Sequence, residues 1–105
     1  MEIWGGLLMN DIERHAKLLN EMHELYVAKN ADYGSSASNL YNEFGITSYL
    51  IRLSDKLNRL KGITKNGTRQ VQDEGVVDTL MDLSNYAILA ILDITREKGD
   101  QANNE

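Results

Sequence analysis

The chain has no cysteine and no proline in 105 residues, and only one tryptophan and one phenylalanine. Without cysteine there are no disulfides, thiolate metal sites or cysteine nucleophiles, and the composition fits a reducing cytoplasm. Without proline, nothing in the sequence forces a helix to break, so long uninterrupted helices are permitted. An excess of positive charge is lacking too. The formal net charge of −5 argues against general binding to duplex nucleic acid, which depends on neutralising phosphates. No apolar run approaches the roughly 20 residues of a membrane span. The opening MEIWGGLLMNDIE lacks the basic start of a signal peptide. The expectation is a single cytoplasmic domain, residues 1–105, that does not enter a membrane.

The stretch ITSYLIRLSDKLNRLK, residues 46–61, organises what is present. Its apolar residues Ile46, Leu50, Leu53, Leu57 and Leu60 recur at helical spacing and form one stripe. Arg52, Asp55, Lys56 and Arg59 form a second row, also of near neighbours on a helix. Between Ile51 and Arg69 six basic residues (Arg52, Lys56, Arg59, Lys61, Lys65, Arg69) accompany one acid, Asp55, a local balance of +5 in a chain of net −5. A basic island in an acidic protein suits a small anionic ligand better than a polymer. The alternative is a solvated helix face followed by an exposed loop.

Upstream, Asn10 with Glu13 resembles a capping box. Ile12, Ala16, Leu19, Met22 and Tyr26 then predict a first helix to about Lys29. Met1 to Met9 is apolar without a period and reads as a docked arm or an oligomer contact. Residues 30–45, NADYGSSASNLYNEFG, are rich in turn-forming Asn, Ser and Gly, and predict a long ordered loop. Tyr33, Tyr41 and Phe44 lie in this stretch and Tyr49 just beyond it, so four of the seven aromatics fall close together. Rings beside hydroxyls and amides offer a nucleoside stacking faces and hydrogen-bond partners. The alternative is tyrosines that simply pack on the bundle.

Downstream, Gly62 to Asp73 reads as a connection with an Asn66-Gly67 turn. Asp73 is placed to cap a last helix with the stripe Val76, Leu80, Leu83, Ala87, Ile91 and Ile94, ending near Gly99. Leu89 and Leu92 widen its apolar surface and suggest a partner chain. The predicted fold is therefore all-α: a small bundle of three main helices with a long ordered loop between the first and second, completed by oligomerisation as a dimer or higher.

Four acids recur at helical spacing. Glu21 and Glu24 lie three apart on the first helix, and Asp78 and Asp82 four apart on the last. Antiparallel packing would gather four carboxylates, and a hard cation such as Mg²⁺ would relieve their repulsion. Alternatively, Asp82, close to the apolar stripe, has Arg52 or Arg59 as an ion-pair partner and is structural.

The segments KNADYGSS (Lys29 to Ser36), NLYNEFG (Asn39 to Gly45), YLIRLSDKLNRLK (Tyr49 to Lys61) and DTLMDLSNYAI (Asp78 to Ile88) resemble a small phage-associated family described as a nucleotide modification associated domain. More distantly, the chain is similar to MazG-like all-α nucleoside triphosphate pyrophosphohydrolases. That resemblance implies a Mg²⁺ site on Glu21, Glu24, Asp78 and Asp82, with cleavage between the α- and β-phosphates. Glu21-Met22-His23-Glu24 matches the first acidic motif. Asp78 to Asp82 departs from the second in spacing and in having Asp where Glu is expected.

Three readings follow. The first is a Mg²⁺-dependent nucleotide pyrophosphohydrolase with Glu24, Asp82 and Lys56 as catalytic candidates. The second is a phage protein that sequesters a host nucleotide signal in the host cytoplasm. The third is a structural or interaction module. The candidate ligand-binding residues are Tyr33, Ser35, Ser36, Asn39, Tyr41, Arg52, Asp55, Lys56 and Arg59, and the expected partner in the first two readings is a small-molecule nucleotide.

Overall fold

The structure, a computed structural model, describes the backbone of residues 9–33, 36–66 and 69–103 and the side chains of residues 9–30, 36–66 and 74–96. The described residues form four α-helices and no strand: α1 (Asp11–Tyr33), α2 (Ser36–Phe44), α3 (Thr47–Asn66) and α4 (Arg69–Asn103). The all-α class expected from the sequence is therefore present. The chain divides into two compact units, Met1–Gly34 and Ser35–Glu105.

In the first unit, Asn10 caps α1 as its sequence suggests. The Glu13 amide donates to Asn10 Oδ1 at 2.9 Å, satisfying one of the amides a helix start leaves without a partner. Asp11 and Glu13 place negative charge in the first turn, where the helix dipole favours it. The helix runs past Lys29 to Tyr33, since no proline or glycine interrupts it before Gly34.

Residues 30–45 do not form the expected long loop. α1 takes up the start of the segment and α2 most of the rest, giving four helices where three main ones were expected. Ala37, Leu40, Tyr41 and Phe44 recur at i, i+3, i+4 and i+7, an amphipathic stripe obscured by the surrounding Asn and Ser. Gly45 ends α2 with φ +68°, a left-handed conformation that glycine adopts without a side-chain penalty. Its amide donates to Tyr41 O at 2.7 Å. Ser48 Oγ then donates to Gly45 O at 2.9 Å, and the Leu50 amide donates to Ile46 O at 3.0 Å as α3 begins.

The boundaries between the last two helices differ as well. α3 continues through Gly62 to Asn66 and α4 starts at Arg69, so Asp73 lies inside α4 and does not cap it. A single mid-helix glycine costs only about 1 kcal/mol, too little to break a helix held by tertiary contacts. The segment Glu74–Arg96 is long and apolar enough, by length and composition alone, to cross a membrane. Within it, however, Asp82 is ion-paired and Asp93 is buried among hydrogen-bond donors. Those features belong to a helix packed against protein.

α3 and α4 pack antiparallel. Ile63 meets Gly75, where an added Cβ would lie 3.1 Å from Ile63 Cδ1, so the missing side chain leaves room for Ile63 to pack against α4. At the other end a buried polar knot ties three helices together. Asp93 is 4% exposed and Tyr49 only 1%. Asp93 Oδ1 accepts from Ser38 Oγ of α2 at 2.8 Å and pairs with Arg96 at 2.7 Å, and its Oδ2 accepts from the Tyr49 hydroxyl of α3. A buried carboxylate is tolerated because it is fully engaged in this way. Burial holds the Tyr49 phenol above its ordinary pKa of 10.0, and the hydrogen bond to Asp93 and that carboxylate's charge push the same way.

Replacing Asp93 with Ala leaves the buried Tyr49 hydroxyl and the half-buried Ser38 hydroxyl without their acceptor. Urea denaturation is expected to show a loss of about 3–5 kcal/mol for Asp93→Ala and about 1–3 kcal/mol for Tyr49→Phe, with a double substitution costing less than the sum. Because the folded-state pKa of Tyr49 is raised, its contribution is complete below about pH 10 and is lost as pH rises beyond that, where the unfolded chain ionises first. The gap in stability between wild type and Tyr49→Phe should narrow over that alkaline range.

Candidate functional site

Three cations of α3, Arg52, Lys56 and Arg59, meet α4. Arg52 Cζ stands 5.7 Å from the centre of the Tyr86 ring. Lys56 Nζ lies 3.3 Å from Asp82 Oδ2. Arg59 Nε donates to Thr79 Oγ1 at 3.3 Å, and Thr79, 1% exposed, donates in turn to Gly75 O at 2.6 Å. Arg52 and Arg59 are seven residues apart, as are Thr79 and Tyr86. In an antiparallel pair these equal steps keep the contacts in register, and the result is a seam of three cationic rungs.

The seam reverses an expectation. The leucine stripe of α3 was expected to be the buried side and the charged row the open one. Instead Arg52, Lys56 and Arg59 also meet α4, and of the stripe Leu53 and Leu60 are half-buried while Leu50 and Leu57 remain exposed. Long basic side chains allow this, because their methylene stems pack on a neighbouring helix while the charged head stays at the edge in water. Arg52 and Arg59 remain exposed. The Lys56–Asp82 pair is partly open, its side chains 27% and 40% exposed, so it contributes about 0–1 kcal/mol to folding. Asp82 has the ion-pair partner its position calls for, supplied by Lys56 and not by an arginine.

The other candidates fall in several places. Asp55 lies exposed on α3, outside the seam contacts, and Ser36 and Asn39 are exposed on α2. Tyr41 is partly buried with its ring 5.9 Å from that of Tyr49, so it packs within the bundle. The side chains of Tyr33 and Ser35 lie outside the described residues. Asp78 is exposed one turn before Asp82. Glu21 and Glu24 belong to α1 in the other unit, where Lys17 Nζ is 3.9 Å from Glu21 and the Asn20 amide donates to Glu24 at 3.3 Å. Neither unit by itself, among its described residues, gathers three or more His, Asp or Glu side chains able to hold a metal ion.

Thr79 and Tyr86 were not singled out from the sequence. Their signal was the spacing of seven, which matches that of Arg52 and Arg59. Ser38, Asp93 and Arg96 were missed for a different reason: serine in an Asn-rich segment and an Asp-Arg pair near a helix end both read as surface.

As a chemical surface the seam offers two guanidiniums and an ammonium in a line, set against one carboxylate and beside an aromatic ring. Guanidinium groups match phosphate oxygens in shape and charge. A phosphorylated ligand would meet three cations within two turns of one helix.

The family described as Nucleotide modification associated domain 1 matches residues 29–94, a span holding α2, α3, the whole seam and Asp93. No curated protein and no solved structure matches the chain. With more than half of its residues inside the match, the chain belongs to the Nucleotide modification associated domain 1 family.

Proposed function

We propose that this chain binds a nucleotide along the α3–α4 seam and hydrolyses it as a Mg²⁺-dependent pyrophosphohydrolase of the MazG-like kind. The observation that carries the binding half is the alignment of Arg52, Lys56 and Arg59 against Tyr86, Asp82 and Thr79. The phosphates are held by the guanidiniums of Arg52 and Arg59. Tyr86 supports Arg52 by cation–π contact, which fixes the direction of an otherwise mobile side chain.

The hydrolytic half rests on donor chemistry. Glu21, Glu24, Asp78 and Asp82 are all carboxylates, the oxygen ligands Mg²⁺ prefers, and the bound ion would activate water and offset phosphate charge. Water would add to phosphorus and the α–β phosphoanhydride bond would break, releasing a nucleoside monophosphate and pyrophosphate. Glu24 and Asp82 are the groups proposed to take up the water's proton, and Lys56 the group that offsets charge on the departing oxygen.

A second reading, sequestration without turnover, is favoured by one specific feature. Lys56 already neutralises Asp82, so this carboxylate has less need of a cation and the seam can hold phosphates without one. Both readings share the ligand and differ in whether Mg²⁺ is required.

Binding of a panel of linear and cyclic nucleotides, measured by calorimetry with and without Mg²⁺ and with products recovered by mass spectrometry, separates them. Arg52→Ala and Arg59→Ala are expected to weaken binding by about tenfold or more each, as loss of a charge-assisted hydrogen bond does. Unchanged affinity in both would remove the seam from consideration. If the chain is a hydrolase, Glu24→Ala and Asp82→Ala should abolish Mg²⁺-dependent release of pyrophosphate while nucleotide still binds. Tight binding in EDTA with no product under any condition selects sequestration.

A further inference from the structure

Thr79 is 1% exposed, which puts it out of a ligand's reach, yet its hydroxyl holds Arg59. The direction of each hydrogen bond there is fixed by chemistry. Gly75 O can only accept, so the Thr79 proton is committed to it at 2.6 Å. Arg59 Nε–H can only donate, so Thr79 Oγ1 receives it through a lone pair at 3.3 Å. A guanidinium offers a phosphate a side edge, formed by Nε and one Nη, and an end edge, formed by both Nη groups. With Nε turned to Thr79, the end edge is the one left complete for two oxygens of one phosphoryl group.

We propose that Thr79 is a positioning residue for phosphate binding: it aims Arg59 so that this arginine takes a phosphoryl group end-on. The inference rests on the reading of the seam as a phosphate site. Arg59 is an exposed, long side chain, and ordering such a chain at the moment of binding costs affinity. Thr79 orders it beforehand. The anchor is rigid, because Thr79 is buried on α4 and its own proton is tied to the backbone one turn earlier. Arg52 is set by a different device, the Tyr86 ring, so of the two seam arginines Arg59 alone depends on Thr79. Every group involved lies within the unit Ser35–Glu105.

Thr79→Val keeps the branched shape and removes the acceptor. Two readouts on the full chain separate this inference from the reading it rests on. Without ligand, the Arg59 side-chain Nε–H signal of ¹⁵N-labelled protein should move and exchange faster with water in Thr79→Val, while that of Arg52 stays as it is. With inorganic tripolyphosphate as the probe, calorimetry should show binding weakened roughly twofold to tenfold, the range that ordering one long side chain accounts for. Thr79→Ser should match wild type in both, and in an Arg59→Ala background Thr79→Val should change affinity no further. Arg59→Lys, at an exposed position, is a second variant that does not disturb a buried site. It keeps the charge, lacks the fork, and should bind at least as weakly as Thr79→Val. The proposal is overturned by an unchanged Arg59 Nε–H signal in Thr79→Val, by wild-type affinity in Thr79→Val or Arg59→Lys, or by an equal loss in the Arg59→Ala background. A wild-type chain that binds no tripolyphosphate defeats the seam reading itself, and the proposal with it.

Discussion

The polar seam between α3 and α4 sets the rest of the second unit. Helix pairs in small proteins usually meet through their greasiest stripes, and here the line of contact runs through Arg52, Lys56, Arg59, Thr79, Asp82 and Tyr86. One consequence comes from that choice: three cations are held in a row at the edge of the pair.

Register needs an anchor, because a seam of partly exposed charged groups contributes little on its own. Asp93 supplies it. Its carboxylate is buried and takes hydrogen bonds from Ser38, Tyr49 and Arg96, which sit on three different helices. Sliding α4 past α3 by one turn would take Asp93 away from Ser38 and Tyr49 and leave a buried carboxylate with only Arg96 of its own helix, a larger cost than losing any rung of the seam. Gly75 secures the other end by letting Ile63 approach closely. Between these two points the spacing of seven on both helices keeps the rungs aligned.

Much of the fold was legible in the sequence, and the failures have physical reasons. Helical periodicity identified α1, α3 and most of α4, and Asn10 was read correctly as a cap. Periodicity shows which residues share a face, but not which neighbour that face meets. The stripe from Ile46 to Leu60 was therefore recognised while its surroundings were misjudged. α2 was hidden because its Asn and Ser content outweighed the short stripe of Ala37, Leu40, Tyr41 and Phe44. The basic row was visible as a charge pattern, whereas Tyr86 and Thr79 become part of the site only through antiparallel pairing. Tyr41, a candidate for ligand contact, packs its ring on Tyr49, a contact that emerges only once α2 folds against α3.

The claim that the seam holds phosphorylated ligand is tested most directly by nuclear magnetic resonance of uniformly ¹⁵N-labelled protein. The side-chain Nε–H signals of the arginines would be followed as nucleotide is added. Arg52 and Arg59 should shift in a saturable way with the backbone amides around Lys56 and Asp82, while Arg96, paired with Asp93 and outside the seam contacts, stays still. Shifts confined to α1 or to residues outside the seam, or saturation with no movement at Arg52 and Arg59, would contradict it.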